Sequence, residues 1–202
     1  MSLLAAAAEA GRAPVARSPR RTELLDAFEA LIVAEGFRHL TVGEIARRLG
    51  CSRRTLYELA PSKDELVALT VRRHLDRLVT DAARVVGHHR SPARQLEVTT
   101  ELVATRLASL SAAFTADVVA TPRTARLVTV FAERFADGLA EVVEAGIEAG
   151  RFRRVHPRLV AEAILGLVDR LRDPTVLDSL GLSYDEAARQ IGRLLLDGIR
   201  LR

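Results

Sequence analysis

The chain has 202 residues, 49% apolar and 28% charged, a balance that excludes a wholly disordered chain and allows one sizeable core or a small module joined to a larger one. The formal charge is +4, a mild basic excess, and a single cysteine, Cys51, excludes an internal disulfide and a zinc site closed by cysteines. No apolar run approaches the ~18 residues of a membrane span, and Met1–Ala8 lacks the basic flank and length of a secretory signal, so a cytoplasmic protein is expected.

Residues 1–17 read as a flexible arm, rich in alanine and broken by Gly11 and Pro14. Arg12 and Arg17 would let such an arm reach a minor groove, although a loose leader is the plainer reading. Ser18-Pro19 offers an N-cap and a helix-opening proline. Leu24, Phe28, Leu31 and Ile32 then recur at helical spacing until Gly36, with Phe37 turned back onto the core. Thr41 and Glu44 form a capping box for a helix of barely two turns, apolar along Val42, Ile45, Ala46 and Leu49. Gly50 ends it; Ser52 caps the next helix, with Leu56 and Ala60 inward, and Pro61 breaks that one. Ser62 to Glu65 is a second capping box, opening a long helix through Leu66, Leu69, Val71, Leu75 and Leu78.

After a turn at His88-His89 the chain restarts at Ser91-Pro92 and is helical from Leu96 to Leu110. A further helix follows from Thr121-Pro122 through Val128, Phe131, Phe135, Leu139 and Val143 to Gly150. The segment from Pro157 to Leu171 is apolar at Val160, Ile164, Leu167 and Val168, and 173–181 reads as a loop. Ser183 to Glu186 is a third capping box, followed by a stripe of Tyr184, Ala187, Ala188, Ile191, Leu194, Leu195 and Ile199. No strand-like alternation competes, so the fold class is all-α with about nine helices.

Three short helices joined by such tight turns bury one small core. They also place the helix around 52–60 where a helix-turn-helix lays its second helix in a DNA major groove. Arg38, Arg47, Arg48, Arg53 and Arg54 gather there against one acid, Glu44, and Lys63 is the only lysine in the chain. Arg47 and Arg48 read equally well as a solvated face. Cys51 is read as a small packing residue rather than a redox sensor. His88-His89 stands without partners at metal spacing, and no metal site is expected.

On these residues the chain resembles a TetR-family transcriptional regulator. The likeness spans roughly Arg20 to Leu78. It rests on Glu35-Gly36-Phe37, on Thr41-x-x-Glu44-Ile45-Ala46-x-x-Leu49-Gly50, on Thr55-Leu56-Tyr57 and on Pro61-Ser62-Lys63-Asp64-Glu65-Leu66. Beyond Leu78 it is a likeness of architecture only. It implies a DNA-binding domain at 18–66, with the reader at 41–60, and a helical ligand-binding and dimerisation domain at 67–202. Thr41, Tyr57 and Lys63 would contact the DNA backbone, Arg53, Arg54 and Thr55 would face the groove from the start of the recognition helix, and the capping Ser52 is counted with the DNA-binding residues. Helix N-termini favour phosphates and Arg can grip guanine bidentately, which suits these roles. The last two helices would pair two subunits through Ile164, Leu167, Ile191, Leu194 and Leu195. Leu59 and Ala60 stand where the family carries aromatic residues, and Arg54 where a small residue is common, making Arg54 the expected source of operator preference.

The function implied is a homodimeric repressor of a palindromic double-stranded operator, cytoplasmic and nucleoid-associated, released by a small hydrophobic ligand and needing no cofactor. An Arg-, Ala-, Val- and Leu-rich composition fits a GC-rich bacterial genome. The low aromatic share, 4%, favours a neutral or weakly acidic apolar ligand over a caged cation. Phe114, Phe131, Phe135 and Phe152 read as core, while Thr99, Thr105, Thr129 and Arg134 interrupt apolar stretches and mostly suit a solvated surface. Two other readings of the DNA-binding unit stand beside this one: a constitutive DNA binder without a ligand, and a helical interaction protein that has lost DNA binding. An enzyme is disfavoured, since the chain has no His-Glu-x-x-His, phosphate loop or nucleophile elbow.

Overall fold

A computed structural model describes residues 19–171 and 173–201; the expected N-terminal arm, with Ser18, Arg12 and Arg17, lies outside them. Among the described residues the fold is ten α-helices without a strand: α1 Pro19–Glu35, α2 Val42–Arg48, α3 Arg53–Leu59, α4 Lys63–Gly87, α5 Pro92–Ala108, α6 Ala112–Ala120, α7 Pro122–Glu148, α8 Pro157–Arg170, α9 Pro174–Leu180 and α10 Tyr184–Ile199. No single described helix is long and apolar enough to cross a membrane.

Two of the ten were not foreseen. The apolar pattern expected to run to Leu110 stops at Ala108, and the Ser111 hydroxyl accepts from the Phe114 amide at 3.0 Å to start α6. α6 is nine residues with only Phe114 and Val118 buried, too short for a periodicity to register. The expected loop at 173–181 is also helical. The Asp173 carboxylate accepts from the Thr175 amide (3.0 Å) and hydroxyl (2.6 Å) and from Arg170 (2.7 Å), so one side chain nucleates α9. These bonds hold its carboxyl down at about 2. The second expected capping box is half built: Ser62 accepts from the Glu65 amide at 3.1 Å, but the Glu65 carboxylate pairs with Arg123 at 2.7 Å.

The chain divides into two compact units. One runs to Arg77 and takes in Ser109–Phe131; the other holds Leu78–Ala108 and the chain from Ala132 on. The first is thus larger than the 18–66 segment expected for the DNA-binding domain, because its core needs α6. Leu25, Phe28, Ile32, Ile45, Leu56, Val67 and Val71 are buried together with Phe37, Phe114 and Val118. Phe37 meets the Phe114 ring edge-on at 6.3 Å, and His74 meets it from another side at 6.3 Å. α1 and α4 are further tied by charge: Asp26 accepts from Arg73 at 2.7 Å and also from Arg77, while Glu29 pairs with His74 and Arg77, both at 3.0 Å. Burial pushes the Glu29 carboxyl up, yet the His74 hydrogen bond and the Arg77, His74 and Arg73 charges outweigh it and leave it lowered.

In the second unit α10 packs on α5 and α8, with Ala104, Leu171, Ala187 and Ala188 at the centre of the contact. Small residues let these helices approach closely, and the Tyr184 hydroxyl donates to the Val168 carbonyl at 3.2 Å. Phe152 folds back onto Gly146, where an added Cβ would fall 2.1 Å from its ring. The Arg153 amide then donates to Ile199 O (2.8 Å) and the Leu201 amide to Arg151 O (3.0 Å), pinning the end of α10. Phe135 and Phe152 are core, as expected, whereas Thr105, Thr129 and Arg134 are exposed. Thr99 is buried, and its hydroxyl has no partner among the described residues.

Candidate nucleic-acid interface

α2 and α3 are joined by a left-handed turn that favours glycine. Gly50 has φ 60°; its amide donates to Arg47 O (3.3 Å) and the Cys51 amide donates to Ala46 O (3.0 Å). These are the paired bonds of a Schellman ending, which reverses the chain within three residues of the last turn of α2. Ser52 then caps α3 by accepting from the Thr55 amide at 3.1 Å. Burial pushes the Cys51 thiol up, away from the thiolate a reactive cysteine needs.

The sequence-expected DNA-binding residues share this unit but differ in readiness. Arg53, Arg54 and Tyr57 project from the outer side of α3: the Arg54 side chain is 90% exposed and Tyr57 is 52% exposed. Arg54 is held loosely by Glu58 one turn along, at 3.3 Å. Arg53 lies back across α2, its guanidinium occupying the space over Gly43, where a Cβ would sit 2.6 Å from Nη2. Ser52 and Thr55 share a hydroxyl–hydroxyl bond of 2.9 Å, so the pair faces outward as one polar unit with a proton to offer. Thr41 is engaged: its hydroxyl accepts from the Glu44 amide (3.2 Å) and donates to the Glu44 carboxylate (2.8 Å), which also takes the Thr41 amide (2.7 Å). Those bonds hold the Glu44 carboxyl below its ordinary value. Lys63 donates to the Arg38 carbonyl at 3.1 Å, spanning from the start of α4 to the loop before α2. Arg47 is exposed, whereas Arg48 is paired with Glu35.

Three residues that hold the reader in place escaped the sequence. Arg21 of α1 donates to the carbonyls of Glu58 and Leu59, both at 3.2 Å. It caps the end of α3 with positive charge, where the dipole favours a cation, while Ala60 and Leu59 beside it pack into the core of the unit. Asp117 of α6 accepts from the Phe37 and Arg38 amides at 2.6 and 2.8 Å, fixing the loop whose carbonyl Lys63 grips. Gly43 clears the seat for Arg53. Arg21 and Asp117 act across long stretches of chain and leave no local pattern; Gly43 sits inside the Thr41–Glu44 box and reads there as an ordinary helical residue.

A capped two-turn helix, a Schellman turn and a second short helix that presents arginines at its N-terminal end define a helix-turn-helix DNA-binding protein. Residues 24–69 match the family model for bacterial regulatory proteins of the tetR family. Over 154 residues the chain is 30% identical to the HTH-type transcriptional activator FasR of Mycolicibacterium smegmatis, covering 73% of this chain and 70% of that protein. The chain belongs to the TetR family of transcriptional regulators, and regulation of transcription, not enzymatic turnover, is the work of that family. Among solved structures, a Saccharomonospora viridis regulator in complex with choline is similar at TM-score 0.78 and 20% identity, over 92% of this chain and 100% of its own. The FadR regulator of Bacillus subtilis in complex with stearoyl-CoA is similar at TM-score 0.73 and 16% identity, over 89% of this chain and 99% of its own. At such identities these two share the fold.

The residues expected at a subunit interface lie on α8 and α10. Ile164 is only 3% exposed and belongs to the interior of its own unit, whereas Leu167 is exposed, Leu194 is 73% exposed, and Ile191 and Leu195 are half-buried. Leu159, one helical turn before Ala163 and two before Leu167, is 68% exposed, so both α8 and α10 carry uncovered apolar residues.

Proposed function

We propose that the protein is a homodimeric, ligand-responsive repressor that reads a palindromic operator with α3 and leaves it when a small apolar molecule binds the helical body. Residues 18–66 form the DNA-binding domain in this reading, and 67–202 the ligand-binding and dimerisation domain. The observation that carries it is the exposed row Arg53, Arg54 and Tyr57 on a rigidly capped helix, together with the bare apolar ridges of α8 and α10. Two copies joined through Leu159, Leu167, Ile191, Leu194 and Leu195 would make a four-helix bundle, with Ile164 supporting the ridge from beneath. Thr41, Tyr57 and Lys63 would serve the DNA backbone, Arg53, Arg54 and Thr55 would face the groove, and Ser52 would join them from the cap of α3. For Thr41 this requires a phosphate to displace the Glu44 carboxylate from its hydroxyl.

A dimer reads half-sites about 34–36 Å apart or a multiple of that, so a ligand that re-angles the reading heads ends binding without touching them. The ligand chemistry follows from a body with few aromatic residues: neutral or weakly acidic and hydrophobic. The acyl chain of the stearoyl-CoA bound by the Bacillus subtilis neighbour agrees with the hydrophobic part of that class, its charged CoA head does not, and neither does the choline of the Saccharomonospora viridis neighbour. A second reading, activation, is favoured by the name of the Mycolicibacterium smegmatis relative.

The test is a gel-shift on DNA flanking the protein's own gene, followed by transcription in vitro from the same fragment. Repression predicts a shifted band and less transcript, both reversed by fatty acids or similar compounds that raise the melting temperature. More transcript on binding replaces repressor by activator. A band that no stabilising compound disturbs makes the protein a constitutive binder, and no band at all removes the DNA-binding assignment.

A further inference from the structure

We propose that the groove between the first three turns of α4 and the first two turns of α7 is a binding site for a small phosphorylated organic molecule, gripped by Arg72, Arg123 and Arg126. The groove lies wholly within the compact unit that holds the reader and has a volume of about 740 Å³, the size of sites that take nucleotide-sized or drug-sized molecules. Its floor is apolar, from Ala68, Leu69 and Leu127, and its charged walls are Arg72, Arg123 and Arg126 against one carboxylate, Glu65.

The charge does not close on itself. Glu65 pairs with Arg123 at 2.7 Å, whereas Arg72 and Arg126 are exposed and have no carboxylate partner among the described residues. Several arginines of this unit do structural work instead: Arg21 on the end of α3, Arg48 on Glu35, Arg73 and Arg77 on Asp26. Two unpaired guanidiniums, Arg72 on α4 and Arg126 on α7, the latter one turn from Arg123, suit a dianionic head better than a single carboxylate, because a phosphate offers three oxygens and up to two charges where one carboxylate offers two oxygens and one charge. The apolar floor adds room for an organic body. Glu65 is the built-in competitor: a phosphate that takes Arg123 releases Glu65, whose carboxylate then has Ser62 three residues away to complete the capping box next to Lys63.

The test uses the full-length protein in calorimetric titration against three probes: inorganic pyrophosphate, adenosine diphosphate and laurate. The expected result is that adenosine diphosphate binds more tightly than pyrophosphate and that laurate leaves the groove variants and the wild type alike. The double variant Arg72→Gln/Arg126→Gln should lose on the order of tenfold or more of the adenosine diphosphate affinity. Glu65→Gln should gain several-fold, an opposite sign that damaged folding would not produce. Equal binding of the phosphates by wild type and double variant would overturn the site, as would no binding to either. Loss confined to laurate would also overturn it, by moving the groove to the carboxylate class. If the double variant binds duplex DNA more weakly while phosphate probes bind neither protein, the arginines belong to the DNA contact and the small-molecule site is excluded.

Discussion

The Phe37 amide donates to the Asp117 carboxylate at 2.6 Å, across 80 residues of sequence. The same carboxylate takes the Arg38 amide at 2.8 Å, and the Arg38 carbonyl accepts from Lys63 at 3.1 Å. The loop that leads into the helix-turn-helix is thus clamped from α6 on one side and from α4 on the other. Asp117→Ala should strand the half-buried Phe37 amide and leave the exposed Arg38 amide to water, at a cost of about 1–3 kcal/mol, read as a lower urea midpoint with an unchanged slope. Asp117→Asn, which keeps an acceptor, should cost less. Equal losses for the two variants would show that the carboxylate does not hold the loop.

At the reader, Tyr57→Phe and Lys63→Ala should weaken binding to every DNA sequence, and Lys63→Ala should lower the salt slope by about one unit. Arg54→Ala should instead cost ~1–3 kcal/mol on the correct operator and relax its base preference, with Glu58 losing only an exposed partner. Gel-shifts at several salt concentrations on matched and mismatched sites separate these effects. Unchanged affinity and preference in Arg54→Ala would take Arg54 out of the reader.

Leu194→Glu and Leu167→Glu change side chains that the protomer leaves exposed. Both should therefore give folded monomers with native helix content and little operator binding, visible by sedimentation at micromolar concentration. Ile164→Arg should behave differently, because it puts a charge into the interior of the unit and lowers the melting temperature outright. Wild-type protein that sediments as a monomer would contradict the pairing of α8 and α10.

Acid should loosen the molecule in two places. The Asp173 carboxyl is held at about 2 against an ordinary 3.8 by the Thr175 hydroxyl and amide and by Arg170. A depressed carboxyl gives stability that is complete above its ordinary value and is lost as pH falls through the folded one, so the α9 cap should fail between 3.8 and about 2. Glu29 is lowered too, from 4.5, and its links between α1 and α4 should weaken as acid is added below that value. Urea midpoints measured stepwise through this range should fall less steeply for Asp173→Asn than for wild type. Parallel curves would show that Asp173 contributes nothing to the acid response.

By itself the sequence determined the helices whose ends carry their own chemistry. The Thr41–Glu44 and Ser183–Glu186 boxes, the Gly50 turn and the Ser52 cap each lie within three or four residues, so local hydrogen bonding writes them directly into the order of residues. The same local reading placed Arg54 and Tyr57 on the outer side of α3. Tertiary structure decided what those ends meet. It took Glu65 from its box to pair with Arg123, and it turned Ile164 inward while leaving Leu194 bare, although both sit on apolar stripes. It recruited α6 to the reader through Asp117 and set Arg21 on the end of α3. Pairing energies between residues so distant depend on how the helices pack, and no short-range pattern along the chain records that packing.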